Sequence, residues 1–298
     1  MTEIHNVPFR LIITTQCNGS CYFCHKEGAN TPLDMPLDLV KRCSAIASSI
    51  SAPNSITGGE PTLRKDLDQI INEIHEAAPN NNLSLTTNGF RLIDFCNNIG
   101  TSIDTLNLSI TSFNSSISQR YQNVKPDKAL HSFECFPAVN KNLNIVVVQD
   151  NYREINSFIE YCVKKSCDLD LMFELKSYTK DDLLLQKYIF DLIEGLGKAK
   201  IILKPSPVLE IDVNENTKIR LKHPYLSAIP KFDFCQNCDD ILSCYERICS
   251  LRIYPNGSIS PCLKKRIKTN CIDFEHDIID VYKNILNGFS LLSFIINQ

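Results

Sequence analysis

Short apolar runs alternate with longer amphipathic stretches from residue 9 to about residue 203. The runs are Phe9–Thr14, Ser55–Thr57, Leu83–Thr87, Thr105–Ile110, Leu143–Gln149 and Leu169–Leu175, each short enough for a strand. Between them, Leu67, Ile70, Ile71 and Ile74 follow the i, i+3, i+4, i+7 spacing of one helix face. Ile155, Phe158, Ile159, Cys162 and Val163 do the same. Strands alternating with helices predict parallel βαβ units. Six of them predict an α/β fold, a partial (β/α)6 barrel, with ligands at the C-terminal strand ends. A further run, Ile201–Leu203, is expected to close this first domain, residues 1–203.

After residue 204 prolines recur at Pro205, Pro207, Pro224 and Pro230, and helical periodicity fades. Leu251–Pro261 predicts a hairpin, because Asn256-Gly257 between two short β-like runs is a strong turn signal. The tail after residue 275 reads as helical and apolar. Residues 204–298 are expected to form a second, smaller domain.

Composition adds one unusual fact. Of 298 residues, 43% are hydrophobic and 22% charged, with net charge −3, an ordinary globular balance that recruits neither nucleic acid nor a membrane surface. Met1–Arg10 holds no apolar signal region, and no apolar run reaches the ~18 residues of a membrane span. The expected location is the cytoplasm, where disulfides are rare. Yet there are 14 cysteines. In a reducing compartment such a set points to metal binding or catalysis. Cys17, Cys21 and Cys24 form one group; Cys235, Cys238, Cys244, Cys249 and Cys262 form another. Cys43, Cys96, Cys135, Cys162 and Cys167 read as small buried hydrophobes. Cys271 stays undecided.

The first group is a CxxxCxxC directly after the first predicted strand, so it sits in the first loop at the barrel mouth. A structural zinc site wants four ligands, and His25 is a possible fourth. An iron–sulfur cubane held by three thiolates instead leaves one iron open. CxxxCxxC in this loop resembles the radical S-adenosylmethionine (SAM) superfamily. Gly58-Gly59-Glu60-Pro61 after the second strand looks like that family's GGEP motif, and Thr87-Asn88 and Ser109 end the third and fourth strands.

The resemblance implies a 4Fe–4S cluster on Cys17, Cys21 and Cys24 whose open iron chelates the amine and carboxylate of SAM. One electron then cleaves the sulfonium, giving methionine and a 5′-deoxyadenosyl radical that abstracts hydrogen from substrate. It implies a SAM site at Phe23, Gly58, Gly59, Glu60, Pro61, Thr87, Asn88 and Ser109. It also implies an electron donor of flavodoxin or ferredoxin type.

The second group resembles the Twitch or SPASM auxiliary-cluster module, which implies a second 4Fe–4S cluster; zinc on the same thiols is the alternative. Nearly end to end, the chain resembles the GTP 3′,8-cyclases of molybdenum-cofactor synthesis. Arg10 and Arg252 match two of that group's substrate-binding arginines. Ser55, Asn142 and Ser250 stand where it carries cations, although Lys141 and Lys264 lie nearby, and the paired-glycine tail is missing. The expected substrate is a small molecule or nucleoside-type compound. GTP itself and a peptide are the alternatives.

Overall fold

The structure is a computed structural model that describes residues 7–24, 32–174, 179–202, 208–222, 250–262, 275–283 and 285. Its spine is a run of parallel strands: β1 (Phe9–Ile12), β2 (Asn54–Thr57), β3 (Leu83–Thr87), β4 (Thr105–Ser109), β5 (Asn140–Val147) and β6 (Asp168–Phe173). The intervening helices are α1 (Leu37–Ser49), α2 (Leu67–Ala77), α3 (Cys96–Ile99), α4 (Ser115–Gln122), α5 (Pro126–Cys135), α6 (Ile155–Lys165) and α7 (Lys180–Glu194). Each predicted strand is present: β3 matches residue for residue, and the ends of the others differ by at most three residues. All four apolar residues of the α2 stripe are buried, and each stabilises by roughly 1.5–3 kcal/mol. Val163 lies at the edge of the α6 stripe and is exposed.

Two features were not expected. The predicted closing run is β7 (Lys198–Ile202), and it does not pair with β6. It is the outer strand of an antiparallel meander with β8 (Val208–Asn214) and β9 (Thr217–Lys222), and β9 lies parallel to β6. At the other edge, the predicted hairpin forms as β10 (Leu251–Ile253) and β11 (Ile259–Ser260). Gly257 supplies the positive φ of its turn, and β10 pairs parallel with β1. The result is one 11-stranded sheet, β11-β10-β1-β2-β3-β4-β5-β6-β9-β8-β7, that does not close into a barrel.

Alternation along the strands separates two faces. Phe9, Leu11, Leu85, Leu108, Ile145 and Leu171 point to the side covered by the helices and form one core with them. The intervening positions are largely polar: Arg10, Ser55, Ser84, Asn107, Asn142, Asp170 and Arg220. A polar inner face is therefore left for chemistry. Among the scattered cysteines, Cys43, Cys162 and Cys167 are buried as expected. Cys96 is half-buried and Cys135 is exposed, because it ends α5 at the surface.

Candidate active site

The cysteine loop leaves β1 and is held by three elements. The first is the Gly58-Gly59 turn after β2. Gly59 donates its N–H to the Thr14 carbonyl (2.8 Å) and Glu60 to that of Gln16 (2.7 Å). The approach is so close that a Cβ on Gly58 would stand 2.4 Å from the Thr14 oxygen, and one on Gly59 2.0 Å from the Gln16 oxygen. Gly58 also has φ +151°, which side chains rarely adopt. The second element is an anchor beneath the loop. Buried Arg64 donates to the carbonyls of Ile13 (2.8 Å) and Met35 (3.1 Å) and forks onto Asp66, while Thr14 Oγ1 donates to Asp34 (2.6 Å). The third is the C-terminus of α4, whose last carbonyls lack helical partners. The Tyr121 carbonyl accepts from the Ser20 N–H (2.8 Å) and the Cys21 thiol (3.2 Å), and that of Gln122 accepts from Asn18 (3.1 Å).

Cys17 and Cys24 are exposed and Cys21 is half-buried. Burial, and then the neighbouring thiols, push Cys21 up to about 12. Burial also raises Cys17, with Glu60 and Cys24 adding to it and a hydrogen bond from the Gly19 N–H opposing it. Both shifts favour the protonated thiol, so iron taken up on Cys17 and Cys21 would displace protons. Among the described residues, no three His, Cys, Asp or Glu side chains converge as ligands of one metal ion. A cubane does not require that, since each thiolate binds a different iron. The donor set fits an iron–sulfur cluster: three thiols on one loop, two of them exposed, on a backbone fixed by glycine contacts. His25 and Cys271 lie outside the described residues.

Glu60 is fully buried. Its Oε1 accepts from the Thr62 N–H (3.0 Å), the Thr62 hydroxyl (2.7 Å) and the Thr87 hydroxyl, and its Oε2 from the Asn88 N–H (2.7 Å). Burial raises its pKa, against these four donors. Pro61 opens a single 3-10 turn that the Glu60 side chain caps. Asn88 donates from its side chain to Asn18 (2.9 Å), which ties the end of β3 to the cysteine loop. At the end of β4, the Ser109 carbonyl accepts from Gln122 (2.7 Å). Phe23 forms an aromatic triad with Tyr22 and Tyr121, at centroid separations of 5.3, 5.5 and 5.8 Å.

Arg10 and Arg252 stand side by side in register across β1 and β10, with Ser55 on the other side of Arg10. Asn142 lies on the inner face, and its Nδ2 reaches Asn107, Asn144 and Asp170 at 3.2, 2.9 and 2.8 Å. Ser250 is buried just before β10. Lys141, adjacent to Asn142, points to the helix side. It donates to the Glu134 carbonyl (2.8 Å) and lies over the Phe133 ring, so it is turned away from the inner face. Sequence reasoning missed an inner-face cation, Arg220. It is bound by Asp170 (2.8 Å), Glu210 (3.1 Å) and Asp168. The alternation in Thr217–Lys222 marks this strand, but only the register places it beside Asp170. Cys262 is half-buried at the hairpin exit. Cys235, Cys238, Cys244, Cys249 and Lys264 lie outside the described residues.

Open parallel strands, a three-thiol loop at their C-terminal ends and a Gly-Gly-Glu turn against that loop define a site of the radical SAM type. Residues 11–162 match the sequence profile of the radical SAM superfamily, and the chain belongs to that superfamily. It is 24% identical to a probable GTP 3′,8-cyclase of Methanococcus aeolicus, over 97% of this chain and 93% of that protein. To the GTP 3′,8-cyclase of Helicobacter pylori it is 29% identical, over 93% and 84%. Its fold resembles Streptococcus suis SuiB bound to S-adenosylmethionine, with TM-score 0.66 and 18% identity, covering 94% of this chain and 66% of that one. The chain is an enzyme of the radical SAM type, working with a 4Fe–4S cluster and SAM. Among the described residues, no helix is long and apolar enough to cross a membrane.

Proposed function

We propose that Cys17, Cys21 and Cys24 hold the SAM-binding cluster and that Gly58, Gly59, Glu60, Pro61, Thr87, Asn88, Ser109 and Phe23 form the SAM site around it. The bound cluster and SAM supply a 5′-deoxyadenosyl radical that abstracts a hydrogen atom from the substrate. The chain's part is placement. Glu60 is held rigid by four donors, Asn88 and Gln122 fix the loop, and the aromatic triad of Tyr22, Phe23 and Tyr121 forms one wall. Cys235, Cys238, Cys244, Cys249 and Cys262 offer five thiols, one more than a second cubane needs. We assign the auxiliary cluster to this set without choosing the odd one. Residues 1–203 carry the SAM chemistry and 204–298 the auxiliary cluster. The electron donor is of flavodoxin or ferredoxin type and the setting cytoplasmic.

The substrate we infer is a small molecule or nucleoside-type compound other than GTP. The observation that carries this is the balanced charge of the inner face. Ser55, Asn142 and Ser250 bring no cation, Lys141 faces away, and Arg220 is engaged by three carboxylates. A hydrogen bond from a cation to phosphate is worth roughly 1.5–3 kcal/mol. Three lost together weaken a triphosphate by about three orders of magnitude or more. The GTP cyclase reading keeps two supports, the paired Arg10 and Arg252 and the similarity to GTP 3′,8-cyclases along nearly the whole chain. The reconstituted enzyme, given GTP, SAM and a strong reductant, is expected to form no 3′,8-cyclised product by mass spectrometry. Multiple turnovers that vanish on Arg252→Ala would overturn the inference and install GTP as substrate.

A further inference from the structure

α7 is the helix that follows β6, and no motif falls on it. Its N-terminus is fixed by a capping box between Thr179 and Asp182, and its buried stripe is Leu185, Gln186, Ile189 and Ile193. Gln186 is the odd member. It is 3% exposed, and among the described residues neither its Nε2 nor its Oε1 has a hydrogen-bond partner. Buried amides are almost always paired, so an orphaned one asks for a ligand.

Gln186 lines a cavity of about 50 Å³ above the C-terminal ends of β5 and β6. Val147, Val148, Phe173 and Leu185 supply apolar walls, and Tyr22 of the cysteine loop closes one side. Tyr22 is two residues from Cys24 and packs on Phe23, so a group held here lies close to the thiols. The size admits the edge of a flat ring and excludes a sugar. Glu174 and Asp182 also border it, which disfavours phosphate. A glutamine carboxamide offers a donor beside an acceptor, the complement of adenine's N7 and 6-amino edge.

We propose that Gln186 reads the adenine edge of SAM and so sets the base specificity of the enzyme. This rests on the reading that SAM binds at this mouth. The N–H of Gln186 donates to N7, and its carbonyl accepts from the 6-amino group. That edge of the ring enters between the apolar walls, with Tyr22 beside it.

The test is equilibrium binding, measured anaerobically on reconstituted enzyme, of SAM and of its hypoxanthine counterpart. Hypoxanthine replaces the 6-amino donor with an oxygen acceptor, so only the donor half of Gln186 finds a partner. The wild type is expected to prefer SAM by roughly tenfold or more, as one bidentate base contact provides. Gln186→Met keeps the volume and is expected to bind both within about twofold of each other, with unchanged iron content and melting temperature. Gln186→Glu is expected to weaken SAM yet keep or widen the preference, because a carboxylate opposes the hypoxanthine oxygen. A Gln186→Met protein that retains the full preference overturns the proposal and leaves the SAM site intact. If Gln186→Met does not fold, Gln186→Glu decides: a preference lost there overturns the proposal equally. A wild type that binds neither compound overturns the SAM site itself, and this proposal with it.

Discussion

Gly59→Ala is expected to leave a folded sheet that cannot hold iron on its first cysteine loop. The new Cβ would lie 2.0 Å from the Gln16 oxygen, 2.4 Å from its carbon and 3.0 Å from the Cys17 nitrogen. These are backbone atoms, with no flexible side chain to yield. The strain is relieved only if Gln16 and Cys17 move, which breaks the Glu60 N–H contact to Gln16 and shifts the first thiol. Overpacking of this kind costs about 1–3 kcal/mol in stability. The larger effect is on geometry, because a displaced Cys17 no longer meets a cluster shared with Cys21 and Cys24. Iron retained after anaerobic reconstitution should fall by about half if a second cubane is present. Gly195→Ala is the control: among the described residues nothing lies within 4 Å of its added Cβ, and it should match the wild type. Full iron in Gly59→Ala would show that the contact is not needed.

Glu60→Gln is expected to be the most destabilising single-atom change at the site. The three donors at Oε1 require an oxygen there. The amide nitrogen is then forced to the Oε2 position, opposite the Asn88 N–H that now donates to Oε2 over 2.7 Å. Two donors face each other in a buried place, and a charged acceptor is lost. The expected cost is roughly 2–3 kcal/mol, read as a lowered midpoint in chemical denaturation of the apoprotein. The apoprotein is the right sample because the loss precedes any SAM binding. An unchanged midpoint would mean that Glu60 is not the clamp between the second and third strands that its hydrogen bonds describe.

The parts legible in the sequence were those set by local period and spacing. Alternation and helix stripes place β1 to β6, α2 and α6, Asn256-Gly257 places the hairpin, and CxxxCxxC and GGEP mark the mouth. What stayed hidden depends on neighbours distant in sequence. Nothing in Leu251–Ile253 says that it pairs with β1, which sets Arg252 beside Arg10. Nothing in Thr217–Lys222 says that it joins β6 and brings Arg220 to Asp170. Lys141 is one residue from Asn142, and with a side-chain period of two that single step turns it to the opposite face. The docking of the cysteine loop on Tyr121 and Gln122 spans about a hundred residues and leaves no local trace. Gln186 looks like any polar residue of an amphipathic helix until its burial is seen.

The central claim is radical generation at Cys17, Cys21 and Cys24. It is tested most directly by reductive SAM cleavage, with iron counted in the same samples. Given a strong reductant, the reconstituted wild type is expected to release 5′-deoxyadenosine and methionine and to carry about eight iron atoms, if both sites hold cubanes. The variant with all three cysteines changed to alanine is expected to keep about half the iron and release no 5′-deoxyadenosine. A triple variant with undiminished iron, or a wild type with full iron and no cleavage, would contradict the account.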